Sequence, residues 1–247
     1  MANQFDPRVA YKVPGAVADA AGYDAGLRAY MLSVYNYMAS GVLLTGIVAL
    51  FMAQGATPQE SLAGQIFLQP GILKWVVMLA PLGLVMWLSF GINRLSETAA
   101  KAIFWAYAAL MGASLSTVFL AYTGASIAST FFATAAGFGA LSLYGYTTKR
   151  DLSGMGKFLL MGVVGLIIAS LANMFFKSSM LSLIVSIVGV FVFAGLTVYD
   201  TQKIKEMYFQ VQGSDMMGKT VIMGALTLYL DFINLFLFLL RFMGDRR

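Results

Sequence analysis

Two aspartates, Asp200 and Asp231, stand inside stretches otherwise fit for lipid, and they are the residues from which chemistry would come. The chain has no cysteine and no histidine. Disulfides, thiol nucleophiles and cysteine-ligated metals are thereby excluded, as is any imidazole proton shuttle or ligand. Proton or cation chemistry falls to eleven carboxylates, nine of them in tails, loops or helix ends. Asp231, in Leu228-Tyr-Leu-Asp231-Phe-Ile-Asn234, lies about 17 Å into the last apolar run if that run begins at Lys219. No neighbour in sequence neutralises it, and Asn234 shares its face at i+3. An ionised carboxylate at such depth costs about 2.5–3.5 kcal/mol on insertion scales, so an intramembrane acid marks a cavity or ion path by default. The rival reading is a protonated acid hydrogen-bonded for packing.

Asp200, in Gly195-Leu-Thr-Val-Tyr-Asp200-Thr-Gln-Lys203-Ile-Lys205, falls near the end of the preceding run. There it reads equally well as an interface residue paired with Lys203 at i+3. If the two acids meet, they cannot both ionise cheaply; they share a proton and titrate as a pair. Deprotonated, they offer hard oxygen ligands suited to Ca²⁺. Read at face value, their depths differ by about 10 Å. Meeting requires the sixth span to continue past Lys203 toward Tyr208, or the seventh to begin deeper. Asn36, Asn173 and Gln202 are further polar groups for the same interior, and Arg94 is the one cation able to reach inward; each also has an ordinary role, in helix packing or as an anchor.

The elements that carry these residues follow from charge-free length. The 247 residues are 60% hydrophobic and 11% charged, with mean hydropathy +0.79. Stretches 29–59, 75–93, 102–148, 158–176 and 178–199 carry no charge, and 220–240 carries only Asp231. A crossing takes about 20 residues, so 102–148 is two helices broken at Thr123-Gly124. Seven spans are predicted at 28–53, 72–92, 100–122, 126–147, 158–176, 179–201 and 219–242, in one all-α transmembrane domain covering 27–247. Residues 1–26, polar and with Pro7 and Pro14, read as a flexible cytoplasmic tail without the h-region of a signal peptide. Lys and Arg number eleven on the side of the N-terminus and five on the other, which places the N-terminus in the cytoplasm and the C-terminus outside. The net charge of +5 serves orientation and anionic lipid rather than nucleic acid.

Residues 213–220, Gly-Ser-Asp-Met-Met-Gly-Lys-Thr, match the phosphate-loop pattern GxxxxGK[ST]. That loop works between a strand and a helix of a soluble α/β domain. Here apolar spans flank it, so no nucleotide is expected and Lys219 is read as snorkelling at the membrane edge.

The segments Gly195-Leu-Thr-Val-Tyr-Asp-Thr-Gln-Lys203 and Ala225-Leu-Thr-Leu-Tyr-Leu-Asp-Phe-Ile-Asn-Leu-Phe236 resemble the signatures of the sixth and last spans of the Bax inhibitor-1 family. Length and span count fit the same family from about Gly26 onward. The resemblance implies a C-terminal helix at the centre, wrapped by the other six, and a Ca²⁺ leak whose state depends on pH through a di-aspartyl module. The matching positions are Asp200 and Asp231. In some members of the family a basic residue of span two latches onto one aspartate, and Arg94 is the nearest residue here; no tightly bound cofactor is expected. Some relatives carry an acid in span two; this chain has none between 72 and 92. Bacterial relatives lacking the last-span aspartate are linked instead to a membrane-bound ATP-dependent protease. The leading expectation is therefore a pH-sensitive Ca²⁺ leak channel. The alternative is a non-conducting regulator of stress survival or of such a protease. Proton-coupled transport and intramembrane aspartyl proteolysis are rivals without their motifs, and no enzyme is expected. The compact tail and missing cysteine lean toward a bacterial cytoplasmic membrane.

Overall fold

A computed structural model describes residues 14–55, 57 and 59–246, with side chains from residue 25 onward. The helices are α1 (Pro14–Ala53), α2 (Leu62–Phe67), α3 (Leu73–Gly91), α4 (Glu97–Ala121), α5 (Gly124–Thr147), α6 (Ser153–Phe176), α7 (Ser179–Val211) and α8 (Met217–Met243). All but α2 are long and apolar enough to cross a membrane. The break inside 102–148 falls where the sequence puts it: Thr123 caps α5 by accepting from the Ser126 N–H.

Three features depart from the sequence reading. Helix α1 begins at Pro14, so residues 14–26 are helical rather than a loose arm; proline is well suited to a first helical turn. Residues 1–13 of the expected tail lie outside the described residues. A short helix, α2, occupies the connection after α1, capped by Ser61 onto the Gly64 N–H at 2.9 Å. Helix α7 runs to Val211, well past Lys203. At 33 residues it is about 50 Å long, more than a bilayer core of about 30 Å.

Helix α8 is central. Of its apolar window 67% is buried, against 11% for α3 and α6. It packs directly on α1, α4, α5 and α7, while α3 lies mainly on α4 and α6 on α7. Since lipid tails are as apolar as leucine, such packing depends on close approach and shared hydrogen bonds. Gly112 of α4 faces the Thr45 carbonyl of α1, and Gly145 of α5 faces the Val198 carbonyl of α7; in both places a Cβ would collide with backbone. A buried hydroxyl chain ties three helices: Thr45 donates to the Ala108 carbonyl at 2.8 Å and meets the Tyr229 hydroxyl at 2.7 Å. Thr45 spends its one proton on Ala108, so Tyr229 is the donor to Thr45.

Candidate functional site: a buried carboxyl pair

Helices α7 and α8 form an antiparallel hairpin turned by residues 212–216, with Gly213 at φ 75°. The left-handed φ suits glycine. The segment that matches the phosphate-loop pattern is this turn and the start of α8, with helix α7 rather than a strand leading into it.

The hairpin brings the acids together. The Phe193 and Phe238 rings stack with centroids 5.6 Å apart. Asp200 is seven residues nearer the turn on α7, and Asp231 seven residues nearer it on α8. Two helical turns on each side keep the register and face. The Asp200 and Asp231 carboxyls accordingly lie within hydrogen-bonding reach of each other. Both residues are buried, with 9% and 4% exposure. The continuation of α7 past Lys203 makes this possible: Asp200 is eleven residues from the helix end, not at it.

Oδ2 of Asp231 is buried and receives no hydrogen bond from a protein donor. Two ionised carboxylates can only accept, so a hydrogen bond between them requires that one carry a proton. The cation that bears on Asp200 is Lys203 of its own helix. Lys203 is exposed and its Nζ lies 6.0 Å from the Tyr199 ring centroid.

The remaining predicted site residues fall elsewhere. Arg94 is exposed in the turn between α3 and α4 and makes no ion pair with either aspartate. Asn234 donates back to the Leu230 carbonyl of its own helix at 2.8 Å. Asn36 is exposed on α1. Asn173 accepts from the Ser178 N–H at 3.0 Å, closing the α6–α7 connection.

Gln202 has a different function from an interior ligand. Its Oε1 accepts from the Leu152 N–H at 2.9 Å and its Nε2 donates to the Arg150 carbonyl at 2.8 Å. Lys205 donates to the Tyr146 carbonyl at 2.8 Å, with Nζ 5.1 Å from that ring. The α5–α6 connection is thus clamped to α7 directly on the turn side of Asp200. Within that connection the Ser153 hydroxyl, followed by the Ser153 N–H that donates to the Asp151 carboxylate at 2.8 Å, holds Asp151 below the usual carboxylate range. Lys205 and Tyr146 carried no signal in the sequence, since a lysine and a tyrosine at a span edge are ordinary.

Among the described residues no three His, Cys, Asp or Glu side chains form a metal-holding group. Two carboxylates fall short of the six to eight oxygens Ca²⁺ takes, so a cation here would keep much of its water. A 650 Å³ apolar cavity opens between α1 and α5, reaching from Arg28 and Tyr146 to Phe131. Phe232 lines it, but its neighbour Asp231 does not.

A family model described as "Inhibitor of apoptosis-promoting Bax1" matches residues 27–247. The chain is 52% identical to RP147 of Rickettsia prowazekii, over 91% of this chain and 93% of that protein. It is 50% identical to the inner membrane protein YbhL of Escherichia coli, over 90% and 94%. A protein of Caulobacter vibrioides is 44% identical over 99% of both chains.

Proposed function

From the premise that the chain belongs to the Bax inhibitor family, whose model spans all seven crossings, we propose that it is a pH-sensitive Ca²⁺ leak channel gated by Asp200 and Asp231. The observation that carries this reading is the meeting of two buried carboxyls where α7 packs on α8. One proton held between them removes a charge that the low-dielectric interior would penalise. Losing it leaves two like charges in contact, which favours separation of α7 from α8 or entry of a cation. The described conformation is the closed one in this reading, with both aspartates buried. Ca²⁺ is the transported ion, not a resident cofactor, and the pair makes and breaks no covalent bond.

The membrane is the bacterial cytoplasmic membrane in this proposal, supported by the similarity to an inner membrane protein of Escherichia coli. The basic residues around the α7–α8 turn and near the N-terminus support a cytoplasmic location for both. Reconstitution in Ca²⁺-loaded proteoliposomes tests the reading. Protein-dependent Ca²⁺ release that changes with pH is the expected result. Silent vesicles, with co-purification of a membrane-bound protease, would instead establish a non-conducting regulator.

A further inference from the structure

At the end of the bundle opposite the α7–α8 turn, a 380 Å³ notch opens between α6, α7 and the C-terminus of α8. Its polar side presents Arg241, Arg246, Asn173, Ser170 and Ser182. Leu171 and Met174 supply an apolar flank, both exposed on α6.

The two cations are placed by the fold. Arg241 lies over the Phe238 ring at 5.8 Å, and Arg246 over the Tyr122 ring at 5.9 Å. The backbone that carries Arg246 is tied down: the Asp245 carbonyl accepts from the Thr123 N–H at 3.1 Å, and the Asp245 N–H donates to the Ser126 hydroxyl at 2.9 Å. The adjacent acid is also turned to this anchor, since Asp245 Oδ2 accepts from the same Ser126 hydroxyl at 3.3 Å. Neither arginine forms an ion pair with any carboxylate of the described residues. Asn173 Oδ1 is taken by the Ser178 N–H, which turns its amide nitrogen into a spare donor beside two hydroxyls.

We propose that this notch binds a phosphate group, held by the Arg241 and Arg246 guanidiniums with Ser170, Ser182 and Asn173 as lesser donors. Guanidinium forks match phosphate oxygens in pairs. The shared chemistry is the phosphate, supplied by an anionic phospholipid or by free phosphate. The apolar flank of Leu171 and Met174 continues from the polar donors toward the lipid, as a phospholipid with its chain alongside α6 requires. This site lies at the far end of α8 from the turn and does not depend on ion conduction.

The test is titration calorimetry of the full chain in an uncharged detergent, with two probes: short-chain phosphatidylglycerol and inorganic phosphate. Saturable binding of the lipid alone assigns the source as a head group. Saturable binding of both at similar strength assigns a phosphate site indifferent to the chain. The double variant Arg241→Gln/Arg246→Gln should lose at least ten-fold in affinity for whichever probe binds. Should the double variant fail to fold, Arg241→Gln and Arg246→Gln singly should each weaken binding at least three-fold. No saturable binding of either probe, or undiminished binding by the folded variants, overturns the proposal.

Discussion

Phe193 and Phe238 stack across the α7–α8 interface, each seven residues from an aspartate, and that stack sets the register in which Asp200 meets Asp231. On the turn side the same register is kept by Ile204 against Gly224, where a Cβ on the glycine would press on the isoleucine methyl at 3.1 Å. The pair is therefore fixed from both directions along the hairpin.

Gly145 stands where α5 crosses α7 one turn from Asp200, and a Cβ there would strike the Val198 carbonyl and come within 3.0 Å of the Thr201 Cβ. Backbone cannot rotate away, so Gly145→Ala must push the helices apart. Overpacking costs about 1–3 kcal/mol. Thermal unfolding in detergent should show a lowered Tm, and Ca²⁺ release should shift with it because α7 carries Asp200.

Thr45→Val and Tyr229→Phe make unequal cuts in one buried chain. The valine removes the acceptor of the Tyr229 hydroxyl, leaving a fully buried donor unpaired. The phenylalanine leaves Thr45 still bonded to the Ala108 carbonyl. Buried hydrogen bonds between membrane helices are worth about 0.6 kcal/mol on average and at most about 1.7. Thr45→Val should therefore be the more destabilising by roughly 0.5–1.5 kcal/mol, read from denaturant unfolding of the two variants side by side.

Arg94 should prove dispensable for pH sensing. It is exposed in the α3–α4 turn and pairs with neither aspartate. Arg94→Gln is expected to leave the pH profile of Ca²⁺ release superimposable on that of the parent. A profile displaced along the pH axis would mean that the guanidinium reaches the pair in another conformation.

Asp151 supplies the control for an acid that does not gate. Its carboxylate is held below the usual range by Ser153, so it is ionised throughout mildly acidic and neutral pH. A lowered folded pKa contributes stability that is complete above the ordinary carboxylate value, about 3.9, and fades only as pH falls through the lowered one. Asp151→Asn should then leave the profile of Ca²⁺ release between pH 5 and 8 unaltered.

The spans were legible because charge-free length is a direct consequence of bilayer thickness, and the break at Thr123-Gly124 was legible because threonine caps and glycine interrupts. The end of α7 was not. Lys203, Lys205 and Glu206 mark where lipid ends, but a helix has no need to stop there; its hydrogen bonds continue in water, and lysine, glutamate and methionine are good helix formers. That extension puts Asp200 well inside α7 rather than at its end, and it is why the meeting of the pair was conditional in the sequence. For Arg94, proximity to a span end gave depth but not direction; its exposed place in the α3–α4 turn, without an ion pair, fits the anchor reading. Gln202 read either as an interior polar group or as a packing hydrogen-bonder; its partners, Leu152 and Arg150, are about 50 residues away in the chain and invisible to local pattern.

The most direct measurement is the pH dependence of Ca²⁺ release from proteoliposomes containing Asp231→Asn, beside the parent protein. Asparagine keeps the size and a hydrogen bond to Asp200 but removes the second ionisable group, so no proton remains to be shared. With the pair as the sensor, the variant's release rate no longer changes between pH 5 and 8. A variant that conducts with the parent's pH profile would contradict gating by Asp200 and Asp231.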